Sequence, residues 1–141
     1  MEHTLWIVAL VVTGPLVGIE LGVAAVLNPL AAKLPDSGFR VVRGGGSRWL
    51  GAAMPFWYAG VLALLLALVL TSGGGARIAA TAVMGVAVVL TVTVLVPINT
   101  RVGRWAADAD VDRTLTRRWD TFHWVRVALL AAVLLLVAVS A

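Results

Sequence analysis

The stretch LALLLALVLTSGGGARIAATAVMGV, residues 62–86, joins two long apolar runs through a short polar turn. Each run approaches the roughly 20 residues that an α-helix needs to cross the hydrocarbon core of a bilayer. The turn, TSGGGA, is rich in glycine and too short to contain another element. The stretch therefore predicts two antiparallel helices that cross a membrane.

Two further apolar runs flank this hairpin. The chain has 141 residues, of which 61% are hydrophobic and 13% charged, and a soluble domain of this size could not bury so much apolar surface. Helices satisfy their own backbone polar groups in lipid. We therefore predict one all-α domain, an antiparallel four-helix membrane bundle, with transmembrane helices at about residues 5–28, 50–71, 78–99 and 119–140.

The charges predict the orientation of this bundle. Apart from Arg77 and Arg126, every Lys and Arg lies in loop one, residues 31–49, or loop three, residues 99–121. The positive-inside rule makes both loops cytoplasmic and puts both termini on the other side. We attribute the net charge of +4 to this topology rather than to nucleic-acid binding, and we expect a multi-pass protein of a bacterial cytoplasmic membrane.

Glu20 is an acid within the first apolar run, and Arg126 is a base within the fourth. Counted from the cytoplasmic helix ends, Glu20 lies about 12 Å and Arg126 roughly 10 Å into the membrane, at the usual rise per residue. A lone charge at that depth costs several kcal/mol. We therefore predict that the two side chains pair inside the bundle.

Other polar and aromatic residues fall near the depth of this pair. Trp119, His123 and Arg126 follow one another at positions i, i+4 and i+7, on one stripe of the fourth helix. The predicted pocket has Glu20, His123 and Arg126 as its reactive residues. Its substrate-binding walls are predicted to be Asn28, Asn99, Trp57, Tyr58, Trp119 and Trp124. The alternative is that the two Asn residues only cap helix ends, that Trp57 and Trp124 only fill the core, and that Trp119 and Arg126 only anchor the interface.

Four other motifs are given structural interpretations. RGGGSRW and SGGGAR lack the Lys-Ser/Thr ending of a phosphate-binding loop, so both are predicted to be flexible turns. Asp108, Asp110 and Asp112 lack the Gly and Glu of a calcium loop, so they are predicted to form a turn that caps the fourth helix. Gly14, Gly18 and Gly22 form a small-residue stripe, almost opposite to Glu20, which could join two copies of the chain in a homo-oligomer.

Three motifs together resemble the anthrone-oxygenase-like family of small four-helix membrane proteins, otherwise described as a domain of unknown function. They are the acid of the first helix followed by Asn28-Pro29, the Pro97-x-Asn99 that closes the third helix, and the W-x3-H-x2-R that opens the fourth. The resemblance covers essentially the whole chain, except that RVVRGGG of loop one has no counterpart. It implies a four-helix fold and, as some members oxidise anthrones to anthraquinones, an oxygenase that acts on a hydrophobic polycyclic or phenolic substrate.

The residues suit such chemistry. Glu20 or His123 could serve as the base, and Arg126, Asn28 and Asn99 could stabilise an oxyanion. The cofactor is unknown: a multi-histidine metal site is not expected from two His and no Cys, but haem or a single metal ion bound by His123 stays open. The alternatives are a small proton-coupled transporter and a non-catalytic membrane subunit.

Overall fold

A computed structural model describes residues 1–140 of the chain, and within them it contains four long helices and no strand. The helices are α1, Glu2–Ala32; α2, Asp36–Ser72; α3, Gly75–Gly103; and α4, Arg113–Ala138. Each is long and apolar enough to cross a membrane, as expected of a multi-pass membrane protein. The prediction of an all-α four-helix bundle is confirmed.

Helix α2 begins well before the apolar run that predicted it. The predicted loop one and the predicted turn at RGGGSRW are therefore wrong, because residues 36–49 are helical and carry a buried face that includes Phe39, Arg43 and Gly44. A Cβ on Gly44 would lie 3.4 Å from the carbonyl oxygen of Val102, so a glycine here lets α2 approach the backbone of α3. A hydropathy window detects lipid-facing residues and misses such an amphipathic extension.

The connection between α2 and α3 is as short as the sequence predicted, but the one between α3 and α4 is shorter than the predicted loop three, because α3 continues to Gly103 and α4 begins at Arg113. Gly73 and Gly74, with φ values of 62° and 98°, form the turn between α2 and α3. Asp112 caps α4 by accepting the Leu115 N–H at 2.9 Å, as predicted. Asp110 accepts the N–H groups of Ala107 and Ala106, which lower the pKa of its carboxyl group. The acidic triplet therefore stabilises a turn.

Helices α1 and α3 each contain a π turn, at Val23–Leu27 and Thr91–Leu95, and a proline follows each turn. Proline lacks an N–H and clashes with the carbonyl four residues earlier, so a wider turn before Pro29 and Pro97 lets the helix continue. The alternative interpretation, that Asn28 and Asn99 only cap helix ends, is therefore wrong, since both lie inside helices that end later.

The bundle has two halves of different composition. The terminal half contains the start of α1, the end of α4 and the α2–α3 turn, and its core is apolar: Ala9, Leu16, Leu65, Leu68, Ala80, Met84, Leu130, Val133 and Val137. At its end, Arg77 donates to Glu2 at 2.7 Å and to the Ser140 carbonyl at 2.8 Å, which ties α1, α3 and the end of α4 together. The loop half contains the other two connections.

The predicted glycine stripe lies on the outside of α1. A Cβ added at Gly14, Gly18 or Gly22 would meet no atom within 4 Å among the described residues. Glu20, in contrast, is buried in the bundle, so the glycines and the acid do occupy different faces. A homo-oligomer through this stripe stays a prediction.

Candidate functional site

Glu20 is the centre of the loop half, with only 1% of its surface exposed. Arg126 Nη2 of α4 donates to Glu20 Oε2 at 2.7 Å, so the predicted pairing of these two residues is confirmed. The Tyr58 hydroxyl of α2 donates to the other carboxylate oxygen at 3.0 Å. Three helices therefore meet at one carboxylate, and both of its oxygens have partners.

His123 is held by both ring nitrogens. Nε2 lies 3.0 Å from the main-chain carbonyl oxygen of Glu20, which can only accept, so Nε2 must carry a hydrogen. Nδ1 lies 3.0 Å from Arg126 Nη2, which can only donate, so in the neutral ring Nδ1 presents its lone pair. The partners thus assign the tautomer, and Glu20, Arg126 and a neutral His123 together carry no net charge.

A proton on His123 Nδ1 would also find an acceptor. Glu20 Oε2 lies 3.2 Å from Nδ1, so Glu20 offers an oxygen to each nitrogen of the imidazole, one from its main chain and one from its side chain. A proton at Nδ1 would replace the hydrogen bond from Arg126 Nη2, because Nη2 can only donate.

The π turns border this cluster. In α3, Thr91 is the first residue of the second π turn, and its hydroxyl accepts from Arg126 Nη1 at 3.3 Å. In α1, the first π turn begins three residues after Glu20. π turns occur often at functional sites, because they change which backbone and side-chain groups face the interior. Sequence reasoning assigned no role to Thr91, although it is a polar residue in an apolar run.

A second polar network lies nearer the loops. Arg43 of α2 pairs with Asp120 of α4 at 2.9 Å, and the Asn28 side chain donates to the same carboxylate oxygen at 3.0 Å. Asn28 therefore belongs to this network, and it lines a second small cavity of about 40 Å³ together with Asn99 and Trp119. Sequence reasoning missed Arg43 because it assigned the residue to a loop. Its helical spacing from Ser47, Leu50, Met54 and Tyr58 was the signal that could have found it.

Trp119 connects the two networks. Its ring stacks on His123 with 4.5 Å between the ring centroids, and the Arg43 guanidinium carbon lies 5.1 Å from the Trp119 ring. The Arg126 guanidinium carbon lies 5.9 Å from the same ring. Two cations beside one indole favour its position electrostatically. Trp119 is therefore a buried wall of the site and not an interfacial anchor.

A small cavity lies beside the cluster, with a volume of about 30 Å³. This is room for one or two water-sized molecules. A wider groove of about 270 Å³ lies next to it, between α2 and α3 at the loop end. Gly51, Val96 and Asn99 border both spaces, so the groove leads towards the buried cluster.

The remaining predicted residues divide between this site and other parts of the bundle. Tyr58 contacts Glu20, and the half-buried Asn99 borders the cavity and the groove. The predicted place of Trp57 in the pocket wall is wrong. Its indole donates to the Val12 carbonyl at 3.0 Å and packs against the terminal-half core. The predicted place of Trp124 in the pocket wall is also wrong. Trp124 is 47% exposed, and it points away from the buried His123 that precedes it in the chain.

The residues present do not fit a metal or haem. Among residues 1–140, no group of three or more His, Asp or Glu side chains could hold a metal ion. His123 has both ring nitrogens in hydrogen bonds and one ring face against Trp119. Ligation through His123 would have to break one of these bonds.

Comparisons with protein-family models, with curated proteins and with solved structures find no match to this chain. The case for a function therefore depends on the geometry of Glu20, His123, Arg126 and Tyr58, and on the spaces beside them.

Proposed function

We propose that this protein is a membrane enzyme of the anthrone-oxygenase type, which removes a proton from an activated carbon of a hydrophobic polycyclic substrate and lets dioxygen react with the resulting anion. The observation that carries the proposal is the position of His123 Nδ1. It lies 3.2 Å from a fully buried carboxylate oxygen, and His123 lines a cavity.

His123 is the proposed base. When Nδ1 takes a proton, the imidazolium can donate to Glu20 Oε2 while Nε2 keeps its bond to the Glu20 carbonyl. The carboxylate thus acts as the group that orients and stabilises the protonated ring. Arg126 supplies positive charge next to the site where the substrate anion develops.

The two spaces suggest where each reactant lies. The cavity of about 30 Å³ is too small for a ring system but large enough for dioxygen or for one oxygen atom of the substrate. The groove of about 270 Å³ is close to the roughly 300 Å³ at which small-molecule pockets begin. The rings of the proposed substrate therefore lie in the groove, at the border near Asn99.

The proposed reaction is balanced without a protein cofactor. The ring CH₂ loses one proton to His123 and becomes an anion delocalised onto the ring oxygen. The anion transfers electrons to dioxygen and forms a carbon–oxygen bond, and the resulting hydroperoxide loses water to give a carbonyl group. The sum is CH₂ + O₂ → C=O + H₂O. A bilayer interior dissolves both reactants and keeps competing water away.

The test is oxygen uptake with anthrone by the purified protein. Wild type should consume one dioxygen per anthrone, and His123→Phe and Glu20→Gln should each reduce the protein-dependent rate on the order of 10²–10⁴-fold. His3→Ala is the matched control, since His3 is the only other histidine and lies exposed at the far end of α1. Equal rates in wild type and both site variants would eliminate the proposal.

The proposed location is a bacterial cytoplasmic membrane, with the loop half towards the cytoplasm. The cations at that end, which include Arg48, Arg101 and Arg104, support this orientation. A reporter enzyme that works only outside the cytoplasm should be active when it is fused after residue 140. A reporter that works only inside the cytoplasm should be inactive at the same position, and the opposite result would reverse the orientation.

A further inference from the structure

Two buried N–H groups beside the cavity have no acceptor among residues 1–140. They are Arg126 Nε and Trp119 Nε1. Both residues are more than nine-tenths buried, so water outside the protein does not serve these groups. Buried polar atoms nearly always have a partner, and an orphan indicates an internal water or a ligand at that place.

The two donors belong to one place in the bundle. Arg126 and Trp119 both line the small cavity, and the Arg126 guanidinium carbon lies 5.9 Å from the Trp119 ring. The remaining orphan among the described residues, Thr13 Oγ1, lies in the terminal half of α1 and does not border the cavity. The orphan donors are therefore concentrated where the cavity meets the reactive cluster.

The chemistry of these groups defines what they can bind. A guanidinium N–H and an indole N–H can donate a hydrogen bond but cannot accept one. The missing partner of these two groups must therefore be an acceptor, such as an oxygen atom with a free lone pair. Each oxygen of the neighbouring carboxylate already has a donor, in Tyr58 and Arg126 Nη2. The two atoms that lack a partner at the cavity are both donors, so the group that binds there must accept hydrogen bonds.

We infer that the cavity is a binding site for a ligand oxygen, a carbonyl or the enolate oxygen formed from it, held by the N–H groups of Arg126 and Trp119. This rests on the proposed function for its choice of a tricyclic ketone as ligand. The volume of about 30 Å³ admits the carbonyl oxygen, while the rings stay in the groove. Donors placed at a developing oxyanion stabilise the transition state of proton removal.

Trp119 is thereby a ligand-binding residue, and its indole N–H gives a direct readout. With ¹⁵N-labelled tryptophan, the Trp119 indole resonance is the one missing from the Trp119→Phe spectrum. The probes are two matched pairs: anthraquinone with anthracene, and acetophenone with α-methylstyrene. The two molecules of each pair have a similar shape, but only the ketone has a carbonyl oxygen.

The ketones should shift the Trp119 indole resonance, and the hydrocarbons should not. Each ketone should bind wild type roughly 3- to 10-fold more tightly than its hydrocarbon. Trp119→Phe should lose most of this preference. Trp124→Phe, on the same helix but exposed, should keep it.

The outcomes separate this inference from the proposed function. Binding of acetophenone but not of anthraquinone would support the oxygen site and reject a tricyclic substrate. Binding of both ketones without oxidation of anthrone would support the oxygen site and reject the oxygenase. If neither ketone shifts the resonance or binds better than its hydrocarbon, the cavity holds only water and the inference is overturned.

Discussion

The two halves of the bundle are built from the same four helices, yet they are stabilised differently. The terminal half packs apolar side chains such as Leu16, Leu65 and Leu130, each almost without exposed surface, and is closed at its end by Arg77. The loop half packs around a carboxylate, an imidazole, a guanidinium and a phenol, and it contains the small cavity.

Under the proposed function, the terminal half is the structural scaffold and the loop half is the reactive site. Burying a charged pair contributes little net stability compared with apolar packing, because desolvation offsets most of the attraction between the charges. Apolar side chains could therefore hold the loop half together at least as well. The presence of four converging polar groups there is best explained by what they do.

The sharpest way to test this difference is Glu20→Ala. It leaves Arg126 buried without its carboxylate, which should destabilise the protein by about 3–5 kcal/mol. Unfolding of the purified protein in a denaturing detergent measures the loss. A change much below that range would mean that water already reaches Arg126.

The matched control removes both charges. Glu20→Leu combined with Arg126→Leu should recover most of the stability lost by Glu20→Ala, since no unpaired charge remains. It should not recover oxygen uptake with anthrone. Recovery of both stability and uptake would show that the pair is only structural.

In the terminal half, Leu65→Ala should cost about 2–5 kcal/mol through lost burial and the cavity left behind. Leu65 is 1% exposed and lies in the apolar core, away from the cavity and the groove. At temperatures where the variant is folded, its affinity for anthraquinone should match that of wild type. Weaker binding would show that the two halves are coupled.

The smallest effect is expected for Glu2→Gln, which weakens the ion pair with Arg77 at the end of the terminal half. The Glu2 side chain is 53% exposed, and exposed pairs are screened by water and salt. Unfolding of this variant should be almost indistinguishable from wild type, at low salt as well as at high salt. A large loss would show that Arg77 depends on this carboxylate as Arg126 depends on Glu20.

The sequence predicted the four helices and the Glu20–Arg126 contact for one reason: both depend on position along a helix. Apolar length defines a span, and counting residues from each helix end put the two charges at one depth. The second network was missed because Arg43 lies in a polar extension that hydropathy does not assign to a helix. Trp124 could have been rejected in advance, since adjacent residues on a helix point about 100° apart and His123 was already assigned to the interior.

The cavity and the orphan donors could not be predicted from one sequence. They depend on how closely four helices pack, and on π turns that no simple periodicity reveals. The pairing of both His123 nitrogens with Glu20 has the same origin, because it needs the main chain of α1 to approach the ring of α4.

The neutral charge of the Glu20–His123–Arg126 cluster has an electrical consequence. A membrane potential does work only on charge that moves along the field, about 2.3 kcal/mol per elementary charge per 100 mV. An oxygenase that takes a proton at His123 and returns it to the water formed in the same cavity moves charge over a few ångströms. Its turnover should therefore be independent of voltage. A carrier that passes that proton across the bilayer would generate a current, so an electrical recording distinguishes the two without knowledge of the substrate's fate.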